Sequence, residues 1–146
     1  MATPITISNG SSLLDDAALI KDETGLQRLV GYVLDLSAAP QGRCWLDLDD
    51  RHLNRHGVLH GGIAATLLDT ASGVTGSLSV DPAGRTPFLT IALSTNFVAP
   101  ARTGRVTATG TLRGGGRSLS FIDAELTDDQ GRLIATSTGT FKRVRP

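Results

Sequence analysis

Residues 54–73 read NRHGVLHGGIAATLLDTASG. The first half, with its histidines and glycines, has no strand pattern and predicts a polar loop over residues 50–62. From Ile63 to about Val80 the chain turns apolar on several sides, through Ile63, Ala64, Ala65, Leu67, Leu68, Ala71, Val74 and Leu78. A helix apolar nearly all round is a buried helix. Gly73 and Gly76 each cost it about 1 kcal/mol of propensity relative to Ala, so tertiary packing must hold it.

Two features of this helix bear on chemistry. Gly61 and Gly62 at its entry leave N–H groups with no Cβ to shield them, where the helix dipole adds partial positive charge. Such an end can bind phosphate or stabilise an oxyanion, and a glycine pair can equally serve tight packing. Asp69 sits two turns in, on a stripe of small or polar residues: Thr66, Asp69, Thr70, Gly73 and Gly76. No Lys, Arg or Glu occurs from Gly61 to Val80, which argues against a solvated face. A lone carboxylate there suits a general base or a nucleophile.

Gly61 and Asp69 are eight residues apart, about 12 Å along a helix axis. Reacting groups must come within about 3–3.5 Å of a shared centre. If both act on one carbonyl, the natural solution is a two-fold dimer in which Asp69 of one chain meets Gly61 of the other.

His52, His56 and His60 are spaced by four, but Gly57 and the loop composition argue against one ligand-bearing helix, and the spacing is not that of a closed zinc site. No metal is expected. His60 orients the loop or contacts substrate. Asn54 is a turn residue or supplies an amide to a carbonyl or a water. No nucleophile-elbow or phosphate-loop motif occurs.

Upstream, Ser12 and Asp15 resemble a helix-opening box before LLDDAALI, behind an arm over residues 1–11. A short helical piece, Leu26 to Val30, stops at Gly31. Alternation through Tyr32, Leu34 and Leu36, a turn at 39–42, then Cys44, Leu46 and Leu48 predict a hairpin. Downstream, four strand-like segments run over about 87–97, 104–112, 118–127 and 132–144. Their short connections favour antiparallel neighbours. The total is an α+β fold: an antiparallel sheet of about six strands with one long buried helix against it.

The chain has 146 residues and fits one domain. Fourteen bases balance fourteen acids, which gives no drive towards nucleic acid or anionic membrane. The single Cys44 excludes an intramolecular disulfide framework. Residues 1–20 carry no Lys or Arg and no continuous apolar run, and no run approaches the length of a bilayer span, so a soluble, cytoplasmic protein is expected. Charge is uneven, however. Between Asp81 and Asp123 there is no acid, yet Arg85, Arg102, Arg105, Arg113 and Arg117 fall there. That pattern is ordinary surface composition or a place for a phosphate-bearing ligand.

The stretch 54–73, followed by TIALSTNFVAPARTG and GRSLSFIDAELTDDQGRLIATSTGTF, resembles the PaaI-type hotdog-fold acyl-CoA thioesterases over about residues 25–143. The resemblance implies a hotdog domain over 25–146, with an arm and short helix over 1–24. It implies that Asn54 and Gly61 bind the thioester carbonyl, that Asp69 of the partner activates water or attacks, and that Thr90 assists. His60 matches the family's histidine. It also implies no cofactor, a homotetramer built from two dimers, and coenzyme A along a basic groove. Arg113, Arg117, Lys142, Arg143 and Arg145 are the candidates for its phosphates. Competing readings are a non-catalytic acyl-CoA sensor on the same fold and a hotdog hydratase or dehydratase using Asp and His.

Overall fold

The computed structural model describes residues 18–145. One antiparallel sheet is wrapped around one long helix, the hotdog arrangement. In chain order the elements are β1 (Leu19–Ile20), α1 (Gly25–Val30), β2 (Val33–Asp35), β3 (Arg43–Asp47), a 3₁₀ turn (Asp50–His52), α2 (Gly61–Leu78), β4 (Phe88–Phe97), β5 (Arg105–Gly115), β6 (Leu119–Thr127) and β7 (Leu133–Arg143). The strand order is β1-β2-β3-β5-β6-β7-β4. Every neighbouring pair is antiparallel. No described helix is long and apolar enough to cross a membrane.

Seven strands stand where about six are expected. The extra one is β1, whose Leu19 and Ile20 pair with Asp35 and Leu34. This corrects the end of the helix expected over LLDDAALI: Leu19 and Ile20 are extended, and residues 12–17 lie outside the described residues. The buried Gln27 explains the turn that follows. Its amide donates to the carbonyls of Ile20 (2.8 Å) and Tyr32 (3.1 Å) and accepts from Glu23 N–H (3.0 Å). The short helix α1 is as expected, capped by Thr24 and ended by Gly31 at φ 90°.

The helix α2 is buried because its apolar residues point into the sheet from more than one side. Leu67, Leu68 and Ala71 are wholly buried, against Leu46, Val106, Ala108 and Leu126. Each fully buried leucine contributes about 1.5–3 kcal/mol. Close approach is set by glycines on the strands. A Cβ on Gly110 would overlap the Thr75 hydroxyl and come within 2.9 Å of the Ala71 carbonyl. Thr75 in turn accepts from Gly42 N–H at 2.9 Å, which ties the helix to the turn before β3.

The small-residue stripe of α2 is partly covered: Thr66, Asp69, Thr70 and Gly73 are half-buried, and a Cβ on Gly73 would meet nothing within 4 Å. Gly76 lies under the Phe88 ring, 3.0 Å from where its Cβ would stand, and Thr70 and Gly73 line a cleft of about 310 Å³ together with Ile20 and Phe88. β4 therefore runs beside α2 along this stripe. It is also an outer strand of the sheet, opposite β1, and its Leu89, Ile91 and Phe97 are 59, 58 and 59 % exposed.

Candidate active site

The loop from Leu53 to His60 is a small hairpin. Leu53 bridges Leu59, and Asn54 N–H donates to the Val58 carbonyl at 2.8 Å. Gly57 takes φ 74° at the tip, a conformation glycine adopts without strain. Asn54 Oδ1 accepts from the N–H groups of His56 (2.9 Å) and Val58 (3.3 Å). The side chain is thus a turn-former through its oxygen. Its Nδ2 has no acceptor among the described residues and remains a donor for something else.

Two backbone bonds seat this hairpin against the fold. His60 N–H donates to the His52 carbonyl (2.9 Å), and Leu59 N–H donates to the Ala101 carbonyl (2.7 Å). His52 itself is buried, with Nδ1 accepting from Asp49 N–H at 3.0 Å and Nε2 at 2.7 Å from the Val30 carbonyl. Both its ring nitrogens are spent in the fold.

At the head of α2 the donors can be counted. His60 is the N-cap, and its Nδ1 accepts from Gly62 N–H at 2.8 Å. Its carbonyl takes the N–H groups of Ile63 (3.0 Å) and Ala64 (3.1 Å). Gly61 N–H alone finds no acceptor among the described residues. The two glycines are therefore unequal: Gly62 is capped, and Gly61 presents a donor at the positive end of the dipole. Because Nδ1 accepts, a neutral His60 carries its proton on Nε2.

Gly61 and Asn54 open into one cleft of about 360 Å³, with Phe97 and Ile134 among its walls. The Phe97 ring lies over Gly61, 3.5 Å from where a Cβ would stand. Nothing in the sequence pattern singles out Phe97. It closes β4 as an ordinary strand residue, and only the fold brings it to Gly61.

Asp69 and Thr90 form the second cluster. Thr90 Oγ1 donates to Asp69 Oδ1 at 2.6 Å. Directly after Thr90 the β4–β7 register shifts, with Thr90 opposite Phe141 and Ala92 opposite Thr140. Ile91 is thus the extra residue of a bulge, a device that re-aims side chains beside functional sites. Within one chain Asp69 stands about 12 Å along the helix from Gly61, so the fold keeps the two clusters apart.

The basic candidates also divide. Arg117, Arg143 and Arg145 line one groove of about 590 Å³, beside Ser79 and Val80 at the end of α2. Arg145 Nη2 donates to the Arg117 carbonyl at 2.8 Å. Lys142 opens into a neighbouring cleft with Leu89. Arg113 does not join them. Its Nε donates to Asp123 at 3.0 Å on the sheet face turned away from α2. Asp123 accepts from Thr138 as well, at 2.6 Å, and that hydroxyl, with Arg113, holds its carboxyl below the usual range. The β-bulge at Arg113, where Leu112 faces Ile122 and Gly114 faces Phe121, separates Arg113 from Arg117.

Comparison with known proteins agrees with this geometry. Residues 56–135, more than half of the chain, match the profile of the Thioesterase superfamily. The chain is 32 % identical over 119 residues to mouse acyl-coenzyme A thioesterase 13, covering 80 % of this chain and 83 % of that protein. It is 28 % identical over 108 residues to a putative esterase of Haemophilus influenzae, covering 71 % and 77 %. A solved thioesterase from Haemophilus influenzae superposes with a TM-score of 0.76 at 21 % identity, covering 90 % of this chain and 88 % of that one. The PaaI protein of the E. coli phenylacetic acid degradation operon superposes at 0.72, also at 21 % identity, covering 84 % and 86 %. With this profile, these relatives and a sheet wrapped on a helix headed by His60-Gly61-Gly62, the chain belongs to the thioesterase superfamily, on the hotdog fold of the PaaI-type proteins.

Proposed function

We propose that the chain hydrolyses an acyl-CoA thioester to the free acid and coenzyme A, at a site built by two copies. The observation that carries this reading is the one uncommitted N–H at the head of α2, on Gly61, beside the free amide of Asn54. The thioester carbonyl accepts from both. As water attacks the carbonyl carbon, the oxygen gains charge facing a donor and dipole already in place. The partner's Asp69 takes the proton of that water, or attacks the carbon itself to form an anhydride that water then opens. Thr90 holds Oδ1 and leaves Oδ2 for the reaction. The C–S bond breaks, and the coenzyme A thiolate leaves and is protonated. His60 acts by capping Gly62, so that the helix head is fixed while Gly61 stays free.

The two-copy site has support in β4. It is an outer strand with three large exposed apolar side chains, lying beside the helix that carries Asp69. Such an edge invites pairing with a second chain. In two-fold symmetry, antiparallel helices bring each Asp69 to the other chain's Gly61. The assembly is a homodimer that doubles to a tetramer and works in the cytoplasm. Arg117, Arg143 and Arg145 take the coenzyme A phosphates, with Lys142 at their margin.

Incubation with a panel of acyl-CoA esters and a thiol reagent tests the reading. Free coenzyme A should appear with the wild type and fall at least about a hundredfold with Asp69→Ala. A sensor would bind without releasing thiol. A hydratase would change enoyl absorbance and release none.

A further inference from the structure

His52 is a buried histidine that the proposed hydrolysis does not use, yet its polar atoms join three parts of the fold. It is 1 % exposed. Nδ1 accepts from Asp49 N–H at 3.0 Å, inside the capping box of the 3₁₀ turn. The neutral ring therefore carries its proton on Nε2 and donates it to the Val30 carbonyl, 2.7 Å away at the end of α1. Its own carbonyl accepts from His60 N–H at 2.9 Å. We infer that His52 is a positioning residue for the carbonyl-binding donors: the bond from its ring to Val30 holds Asn54 and Gly61 in place, and turnover depends on it. The inference rests on the thioester-hydrolysis reading.

The route from the ring to the donors is short. Asn54 follows two residues on, and its Oδ1 is spent within the hairpin, so the direction of Nδ2 follows the hairpin. His60, held by the His52 carbonyl, caps Gly62 and leaves the Gly61 N–H free. Both donors thus depend on the hairpin root, where Leu53 bridges Leu59 directly after His52. A misplacement of about 1 Å at reacting groups can cost a hundredfold in rate. The ring bond is what ties that root to α1, a different element, through a helix-end carbonyl that the helix itself leaves unpaired. An apolar side chain would fill the space and leave this carbonyl buried without a donor. Arg51 supplies the contrast. Its Nη1 donates to the neighbouring Leu29 carbonyl at 3.1 Å, but from an exposed side chain whose bond water can replace.

The test is steady-state kinetics with an acyl-CoA ester on the wild type, His52→Asn, His52→Gln and Arg51→Ala, at a temperature where urea curves show each fully folded. Asn sets an oxygen near the place of Nδ1 and is too short to reach Val30, whereas the longer Gln reaches it with an amide N–H. His52→Asn should lower kcat about ten- to a hundredfold with KM within about twofold, because the donors act on the carbonyl and the arginine groove is untouched. His52→Gln should return to within about threefold of wild type. Arg51→Ala should stay within about twofold. Wild-type kcat in His52→Asn, a KM that rises in step with the fall in kcat, or a loss in Arg51→Ala as large as in His52→Asn would each overturn the inference. Equal losses with Asn and Gln would assign the effect to packing of the ring, and overturn it as well. If neither His52 variant folds, the wild type decides by hydrogen exchange: the His52 Nε2 proton and the His60 N–H should exchange as slowly as the Leu67 and Leu68 amides. Exchange as fast as at the Gly57 tip overturns the inference. If the wild type hydrolyses no acyl-CoA of the panel, the functional reading itself fails, and the exchange rates still judge the seat of the hairpin.

Discussion

The Thr90 hydroxyl donates to Asp69 Oδ1 at 2.6 Å, from a strand that bulges at the next residue. One carboxylate oxygen is thereby held in place and the other left free. Thr90→Val should lower kcat about ten- to a hundredfold with little change in KM, since the bond positions a base rather than the substrate. Thr90→Ser keeps the hydroxyl and should stay within about threefold of wild type. Equal losses in both variants would mean that the methyl group, through packing, is what matters.

His60 has a role that stability measurements can separate from chemistry. Its ring takes the Gly62 N–H as a helix cap. His60→Ala should cost about 1 kcal/mol in urea unfolding, the usual size of a lost N-cap. Asn caps well, so His60→Asn should regain most of that stability, and most of the activity with it. An Asn variant as stable as wild type yet as slow as the Ala variant would assign the catalytic work to Nε2–H.

The arginines should respond unequally. Arg117 and Arg145 share a groove, whereas Arg113 is engaged with Asp123 on the other face. Replacing Arg117 and Arg145 together by Ala should raise KM for an acyl-CoA about tenfold or more. Turnover of a short acyl-cysteamine thioester, which lacks the nucleotide, should hold. Arg113→Ala should leave KM for both substrates within about twofold. A rise in KM with Arg113→Ala as large as with the double variant would put the phosphates on the opposite face.

The helix and the four long strands are legible in the sequence because each carries a period. α2 is apolar on several sides without a basic residue, and β4 to β7 alternate between short turns. β1 is not legible, since two residues carry no period and its pairing depends on Gln27 reaching Ile20 from a later helix. β5 runs past Leu112 to Gly115 through a bulge, and glycines conceal that extension. Asp69 stands out as the lone carboxylate of an uncharged helix. The inequality of Gly61 and Gly62 does not, because it depends on where the His60 ring turns. The separation of Arg113 from Arg117 is hidden for a similar reason: it follows from the cross-strand partner of Arg113, set by register.

The proposed shared site makes the strongest demand on the molecule. Asn54 and Gly61 open into one cleft, Asp69 and Thr90 lie two helical turns away, and one chain cannot bring both to one carbonyl. Asn54→Ala and Asp69→Ala homodimers should therefore each be nearly inactive. Unfolded and refolded together in equal amounts, half the dimers should be mixed. In each mixed dimer one site collects both lesions and the other collects none. Recovery should approach about a quarter of wild-type activity, as two-fold symmetry requires. A site complete within one chain predicts no recovery, because every chain then carries a lesion. Mixed dimers are confirmed by native mass spectrometry before assay, since a failure to exchange chains would mimic a failure to complement. With mixed dimers present and activity still at the level of the parents, Asp69 and Gly61 do not meet across an interface.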